Sequence, residues 1–382
     1  MNNSITPDQI RKNNQKLIYQ YIYEQHKVSQ QDICMALHLS RPTVATNLSQ
    51  LEADGLVMKG GQISTSSAGR KATAYCITAE YRISLGVEIT RKEVKMMALN
   101  LYGERIDRVV FKIPFENTES YFQTVCINVL SFVNKLQFTS EQILGICFAM
   151  QGLISTDGQT VVYGKILDCT GLSIDIFEKY LPYRCRFIHD SESAAMAEVF
   201  CDRDLKDGFF INLSRHIGAA LIRDRVPEPG MHGHNATFEH ITLPHYGENL
   251  PKKKCYCGKF GCIDTYCSLH ELLREDEDLD LFFEKKKNGD TQVLQRWSTF
   301  LRHLGEAVNL VHLVCDTPFI LGGYLAAYMD ETDLEVLYQR ISELTPFEEE
   351  HNFLQLGKMP KHSITIGGAL TYIQEFLKLE EL

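Results

Sequence analysis

With 382 residues, 44% of them hydrophobic, the chain is long enough for two or three domains with a sizeable core, and no apolar run reaches membrane-spanning length. The net charge of −10 argues against a surface that is basic throughout, but residues 1–80 carry eight Lys/Arg against six Asp/Glu, which leaves +2 there and −12 on the remainder. The sequence has no signal-peptide pattern, and most of the twelve cysteines are scattered singly, so a reduced, cytoplasmic protein is expected rather than a disulfide-stapled secreted one.

In chain order, residues 8–25 place Ile10, Leu17, Ile18, Tyr21 and Ile22 at helical spacing. Ser29-Gln-Gln-Asp32 opens a second helix as a variant capping box, with Ile33, Ala36 and Leu37 facing inward. Leu39 and Ser40 make a turn into a third helix, expected to start at Pro42 and to bury Val44, Leu48 and Leu51. Two short helices joined this way predict a helix-turn-helix. Ser40, Arg41, Thr43, Thr46, Asn47 and Gln50 form its candidate DNA-reading set, since such side chains hydrogen-bond base edges and phosphates. Residues 56–77 read as a hairpin whose tip carries Ser66, Ser67, Gly69, Arg70 and Lys71. This is a wing, with Arg70 and Lys71 placed for a minor groove. A small helical protein-interaction module is the competing reading of residues 1–80.

From residue 81 to 382 strands alternate with helices. A meander is expected over 83–89, 94–101 and 108–113, then a helix over 118–136 and a buried strand over 143–150. Strand 187–189 leads into helix 191–200, and 209–213 with 219–223 form a second hairpin. Helices follow at 269–273 and 297–314. Short strands at 319–321 and 364–366 each precede a Gly-Gly pair and a helix. Two similar halves predict an α/β fold with a cleft between lobes.

Cys255-Tyr-Cys257-Gly-Lys-Phe-Gly-Cys262 concentrates three thiols in eight residues with two turn-forming glycines. Thiolates so spaced suit Zn²⁺, which takes about four tetrahedral S/N ligands. His240 and Cys267 are the candidates for the missing fourth.

The cluster, followed by Ile263-Asp264, together with Gly230-Met-His-Gly233-His-Asn-Ala-Thr237-Phe-Glu239-His240, resembles the ROK family of repressors and sugar kinases, whose motifs are CxCGxxGC and GxxGxxGExGH. The resemblance implies a two-lobed actin/hexokinase-like, ribonuclease H-like domain behind the winged helix. It also implies a structural zinc held by His240, Cys255, Cys257 and Cys262, with His245 and Glu248 as minor alternatives, and a homodimer or homotetramer on operator DNA. The family's phosphate loops are altered. DxGGTK reads Glu88-Ile-Thr90-Arg91-Lys92-Glu93, GTGxGGG reads Ser214-Arg215-His216-Ile-Gly218-Ala-Ala220, and a third glycine is Tyr324. Glycine lets backbone amides approach phosphates, so these replacements speak against kinase chemistry. Asp190 stands at the family's general-base position and, read by itself, suits a helix cap. Asp168, His189, Asp190, Thr237, His240 and Asp264 are the implied sugar-binding set. The resulting expectation is a sugar-responsive, non-catalytic transcriptional regulator, a repressor of carbohydrate-utilisation genes. An ATP-dependent carbohydrate kinase with a DNA-binding head and a regulator governed by a protein partner are the alternatives.

Overall fold

The computed structural model describes residues 6–64, 71–244, 252–275, 277–348, 352–359 and 361–378. Among them no helix is long and apolar enough to cross a membrane. The first helix, Pro7–Gln25, is fixed at its start by reciprocal bonds. Thr6 N donates to Gln9 Oε1 at 2.8 Å and Gln9 N to Thr6 Oγ1 at 3.3 Å. Ser29 and Asp32 cap helix Gln30–Leu37 in the same manner, each arrangement contributing about 1 kcal/mol.

Ile33 is buried and Leu37 half-buried in that helix, as expected, but Ala36 is exposed and Cys34 packs on the core instead. The third helix is Arg41–Ala53, capped by Ser40, so Arg41 rather than Pro42 takes its first position. Strands Val57–Ser64 and Lys71–Ile77 form the wing, with Val28–Ser29 added at the edge. Ser66, Ser67, Gly69 and Arg70 lie outside the described residues, whereas Lys71 begins the returning strand and is exposed.

The first lobe is a five-stranded sheet in the order Cys185–His189, Ile143–Met150, Ile83–Ile89, Val94–Asn100, Arg105–Phe111, the last strand starting earlier than expected. Its first three strands are parallel and the rest are antiparallel. The second lobe orders Val226–Pro227, Ile217–Arg223, Gly208–Leu213, Phe319–Gly322 and Leu354–Leu356. Two helices, Asp190–Cys201 and Ser363–Leu377, pack against each other between the sheets.

The second of these helices overturns the expected strand at 364–366. Gly367 and Gly368 are not a loop but a helix surface pressed against neighbouring backbone. A Cβ on Gly367 would lie 1.6 Å from Ser193 O, and one on Gly86, in the facing strand, 1.9 Å from Thr365 O. The glycines are there because only a bare backbone fits.

The winged helix is not a loose appendage. Ile18, Ile22, Val44, Leu48 and Leu51 belong to the same apolar core as Leu99 and Leu101 of the first lobe and Leu370 and Ile373 of the central helix. Tyr102 of the lobe stacks on Tyr23 and His26 of the head, with ring centroids 5.4 and 4.6 Å apart.

Candidate functional site

On the helix-turn-helix, Arg41 and Thr46 are exposed, and Thr43 is half-buried with its hydroxyl 2.8 Å from that of Ser40. Asn47 does not belong to this outer face. It is 3% exposed, its Nδ2 donates to Thr43 O at 2.8 Å, and its Oδ1 is buried with no hydrogen-bond partner among the described residues. Helical spacing put it beside Thr43 and Thr46, but its side chain is buried and turns back onto its own helix at Thr43. Gln50 is half-buried, accepting from Arg11 Nη2 at 3.2 Å and donating to Asp54 Oδ1 at 2.9 Å. Arg11, missed in the sequence, thereby sits at the edge of the same face. Replacing Asn47 by Ala should cost about 1 kcal/mol in chemical denaturation and leave DNA affinity unchanged in gel retardation.

The four ligand atoms of His240, Cys255, Cys257 and Cys262 lie within 4.8 Å of one another, a group that could hold a metal ion. Cys257 Sγ is 3.7 Å from Cys262 Sγ, and Cys255 Sγ is 3.8 Å from His240 Nδ1. A tetrahedron with metal–sulfur bonds of about 2.3 Å has S···S edges of roughly 3.8 Å, so the donors are spaced for such an ion. Burial, then the neighbouring thiols, pushes Cys262 up to about 11 and Cys255 higher, while burial lowers His240 and favours its neutral ring. A cation in the cluster would reverse the thiol shifts. Cys267, the alternative fourth ligand, is buried outside this cluster, and His245 and Glu248 fall outside the described residues.

His240 turns its other face to a cleft between the lobes, lined also by Gln151, Tyr163, Lys165, His189, Asp190, His216, Gly218, Glu239 and Tyr256. Three expected site residues are elsewhere. Asp168 is exposed on a left-handed turn at φ 53°, its carbonyl held by Asn117 Nδ2 at 2.8 Å, and it does not line the cleft. Thr237 precedes the short turn Phe238–His240 and does not line the cleft either. The turn presents Glu239 instead, a carboxylate two positions along. Glu239 is pushed up to about 7 by burial, and its Oε2 has no partner among the described residues.

Asp264 stands behind the wall. It accepts from Ile217 N at 3.0 Å and meets His216 Nδ1 at 3.1 Å, so it orients His216 and does not itself line the cleft. His189 and Asp190 do line the cleft, with His189 Nε2 3.2 Å from Asp190 Oδ1. His189 is the cap residue, without a side-chain cap bond, and Asp190 is the first helical residue, where the helix dipole favours its charge. Tyr256, between the first two cysteines, packs edge-on to His216 and His240 at 5.2 and 5.1 Å. With it in place the cleft encloses only about 30 Å³, room for roughly two waters.

Beside residues 90–93 and 214–215, Glu88 is buried and meets Lys95 Nζ at 3.2 Å. Tyr324, from the other lobe, donates to Glu88 at 3.2 Å and accepts from Lys95. Burial holds the Glu88 carboxyl above its ordinary range although Lys95 pulls it down. This bridge spans the two lobes beside a second cavity of about 260 Å³.

A winged helix-turn-helix DNA-binding family matches residues 11–58. The DNA-binding transcriptional dual regulator NagC of Escherichia coli strain K12 is 22% identical over 68% of this chain and 63% of its own length. The alignment thus spans less than two thirds of that relative. A xylose repressor of Caldicellulosiruptor bescii is 20% identical over 96% of this chain and 97% of its own. Among solved structures, a ROK family transcriptional regulator, homologue of the E. coli Mlc protein, superposes with TM-score 0.74 at 17% identity, covering 96% of this chain and 97% of the other. A ROK glucokinase from Streptomyces griseus, in complex with glucose and AMPPNP, superposes with TM-score 0.64 at 19% identity over 76% and 99%. The fold is therefore a winged helix-turn-helix followed by an actin/hexokinase-like domain. With the ROK family matching residues 84–370, three quarters of the sequence, the chain belongs to the ROK family.

Proposed function

We propose that this chain is a sugar-responsive DNA-binding transcriptional regulator, a repressor of carbohydrate-utilisation genes, whose ROK domain binds a ligand without catalysing its phosphorylation. The observation that carries this is the Glu88–Lys95–Tyr324 bridge. Its three side chains line the cavity beside residues 90–93 and 214–215, the segments aligned with the loops where a kinase needs bare backbone amides around nucleotide phosphates. Asp190 keeps a base's position but acts as a ligand contact, with His189, His216, Glu239 and His240 around it. His240, Cys255, Cys257 and Cys262 hold a structural Zn²⁺. Four protein ligands close its coordination sphere, and the ion ties the 240–262 segment to the cleft wall. Residues 1–80 are the DNA-binding domain, with Ser40, Arg41, Thr43, Thr46, Arg70 and Lys71 toward DNA, and residues 81–382 the effector domain. The functional unit is a symmetric oligomer, a homodimer or homotetramer, because helix-turn-helix proteins read paired half-sites. Binding of an effector changes operator affinity only to the extent that it favours one lobe arrangement over the other.

The purified chain should retard a palindromic DNA fragment from upstream of its own gene. Arg41→Ala should weaken binding about tenfold and flatten the slope of log K against log salt by about one. Folded wild-type protein that retards none of the upstream DNA would sink the reading. ATP-dependent turnover of any hexose, aminosugar or pentose in a coupled assay, abolished by Asp190→Asn, would replace it with the kinase alternative.

A further inference from the structure

A further cavity, of about 220 Å³, shares no lining residue with the cleft or with the cavity beside Glu88. The turn after Ile154 and strand Cys185–His189 bound it on the first lobe, and Val226, Pro227 and Pro229 on the second. Both central helices complete it, Asp190–Cys201 through Glu192 and Met196, and Ser363–Leu377 through Thr371, Gln374 and Glu375. Its charged lining is balanced, with Arg186 and Lys378 against Glu192 and Glu375. Glu375 is engaged, 3.4 Å from Arg184 Nη2 and 3.7 Å from Arg186 Nη1. Two groups are not. Arg186 Nε is buried with no hydrogen-bond partner among the described residues. Glu192 has neither a hydrogen bond nor an ion pair among them. Burial holds its carboxyl above the ordinary range, while His189 and Arg186 pull it down without pairing with it. The rest of the wall is mainly apolar, from Ile154, Phe187, Ile188, Met196, Val226 and Pro227. A polar group left unpaired in a walled site is costly, and a ligand that supplies the missing partner removes the cost.

We propose that this cavity binds a small apolar α-amino acid, with its carboxylate on Arg186, its ammonium on Glu192 and its side chain against Ile188, Met196 and Pro227. The balanced lining selects a ligand without net charge. The unpaired guanidinium and carboxyl, which do not satisfy each other, select one that carries an anion and a cation together. The apolar wall selects a hydrocarbon side chain and disfavours a sugar, whose hydroxyls it would leave unbonded. The volume lies below the roughly 300 Å³ at which pockets for larger ligands begin. An occupant here touches both lobes and both central helices. Glu192 follows Asp190 of the cleft by two residues. Pro229 leads into the loop whose Gly233 packs so closely on the first lobe that a Cβ there would lie 2.2 Å from Ile154 O. The amino acid therefore favours one lobe arrangement and couples to whatever the cleft holds.

The test is calorimetric titration of the full chain with leucine, methionine, lysine, glutamate, isoamylamine and isocaproate, repeated on Glu192→Gln and Arg186→Gln. Leucine or methionine should bind about tenfold or more tightly than isoamylamine or isocaproate, each of which lacks one charge-assisted contact. Glu192→Gln should erase the advantage over isocaproate, and Arg186→Gln the advantage over isoamylamine, a crossed pattern that loss of structure does not produce. Glu192→Gln breaks no bond in the free protein, so its melting temperature should match the wild type even where Arg186→Gln, which frees Glu375, folds poorly. Failure of both amino acids to bind at millimolar concentration, half-ligands that bind as tightly as leucine, or a preference that survives both substitutions overturns the site. Lysine or glutamate binding more tightly than leucine overturns the apolar side chain. Leucine binding that is lost in Asp190→Asn and intact in Glu192→Gln puts the ligand in the cleft and overturns the assignment.

Discussion

Replacing Cys262 by Ser should abolish stoichiometric zinc and lower the melting temperature by roughly 5–15 °C, as several kcal/mol are lost at about 2–4 °C each. Cys262 is 1% exposed, and its sulfur lies 3.7 Å from that of Cys257. A hydroxyl there neither ionises nor reaches the ion at the longer metal–sulfur distance. The effect should exceed a lost ligand bond, because the turn Phe238–His240 and the cysteine loop also supply Glu239, His240 and Tyr256 to the cleft. Effector binding should fall together with metal content. Cys267→Ser is the matched control. It removes a buried thiol outside the cluster and should keep its zinc. Elemental analysis and thermal melting read both outcomes. Well-folded wild-type protein without zinc, or Cys262→Ser with a full complement, would refute the assignment.

Gly367→Ala should destabilise the chain by more than about 4 kcal/mol, or prevent its recovery in soluble form, for the exchange of one hydrogen for a methyl group. The new Cβ would sit 1.6 Å from Ser193 O and 2.5 Å from Ser193 C, both backbone atoms of the companion helix. No rotamer relieves such a clash, so the two central helices would have to separate. Gly171→Ala supplies the contrast. Its φ is 87°, but nothing lies within 4 Å of the added methyl, so only conformational strain of about 1 kcal/mol is expected. Equilibrium denaturation of the two variants should differ severalfold in lost stability. A Gly367→Ala protein of near-normal stability would show that the helices do not pack this closely.

What was legible in the sequence follows from how local each signal is. The Cys/His cluster reads directly, because its three cysteines fall within eight residues and the two glycines between them let the thiols converge. The helices of the head read almost as well, since their apolar spacing and the Ser29–Asp32 capping box are local signals, although the caps Thr6 and Ser40 emerged only in the structure. The cleft does not. Tyr163 ends the short strand Val161–Tyr163, Lys165 sits in a turn and Gln151 in a bend beside it, and nothing in their neighbourhoods marks them as lining a cleft with Tyr256. Aligning motifs pointed to Thr237, whereas the residue of that segment that lines the cleft is Glu239. At Asp168 the alignment pointed to a residue that the backbone turns away. Gly367-Gly368 misled for a different reason. A pair of glycines signals a loop by local propensity, whereas here close packing of one helix on another demands it.

The apolar core that the winged helix shares with the first lobe has a consequence for how operators are measured out. A head fused to its body cannot swivel to meet a half-site, so in a symmetric pair the separation and phase of the two reading helices are set by where the bodies touch. Each base pair inserted between half-sites turns one of them about 34° around the DNA axis relative to the other. The spacer length of the operator is then a protractor for the oligomer. An effector that rocks one lobe against the other reaches DNA as a mismatch of angle, with every base contact left chemically intact.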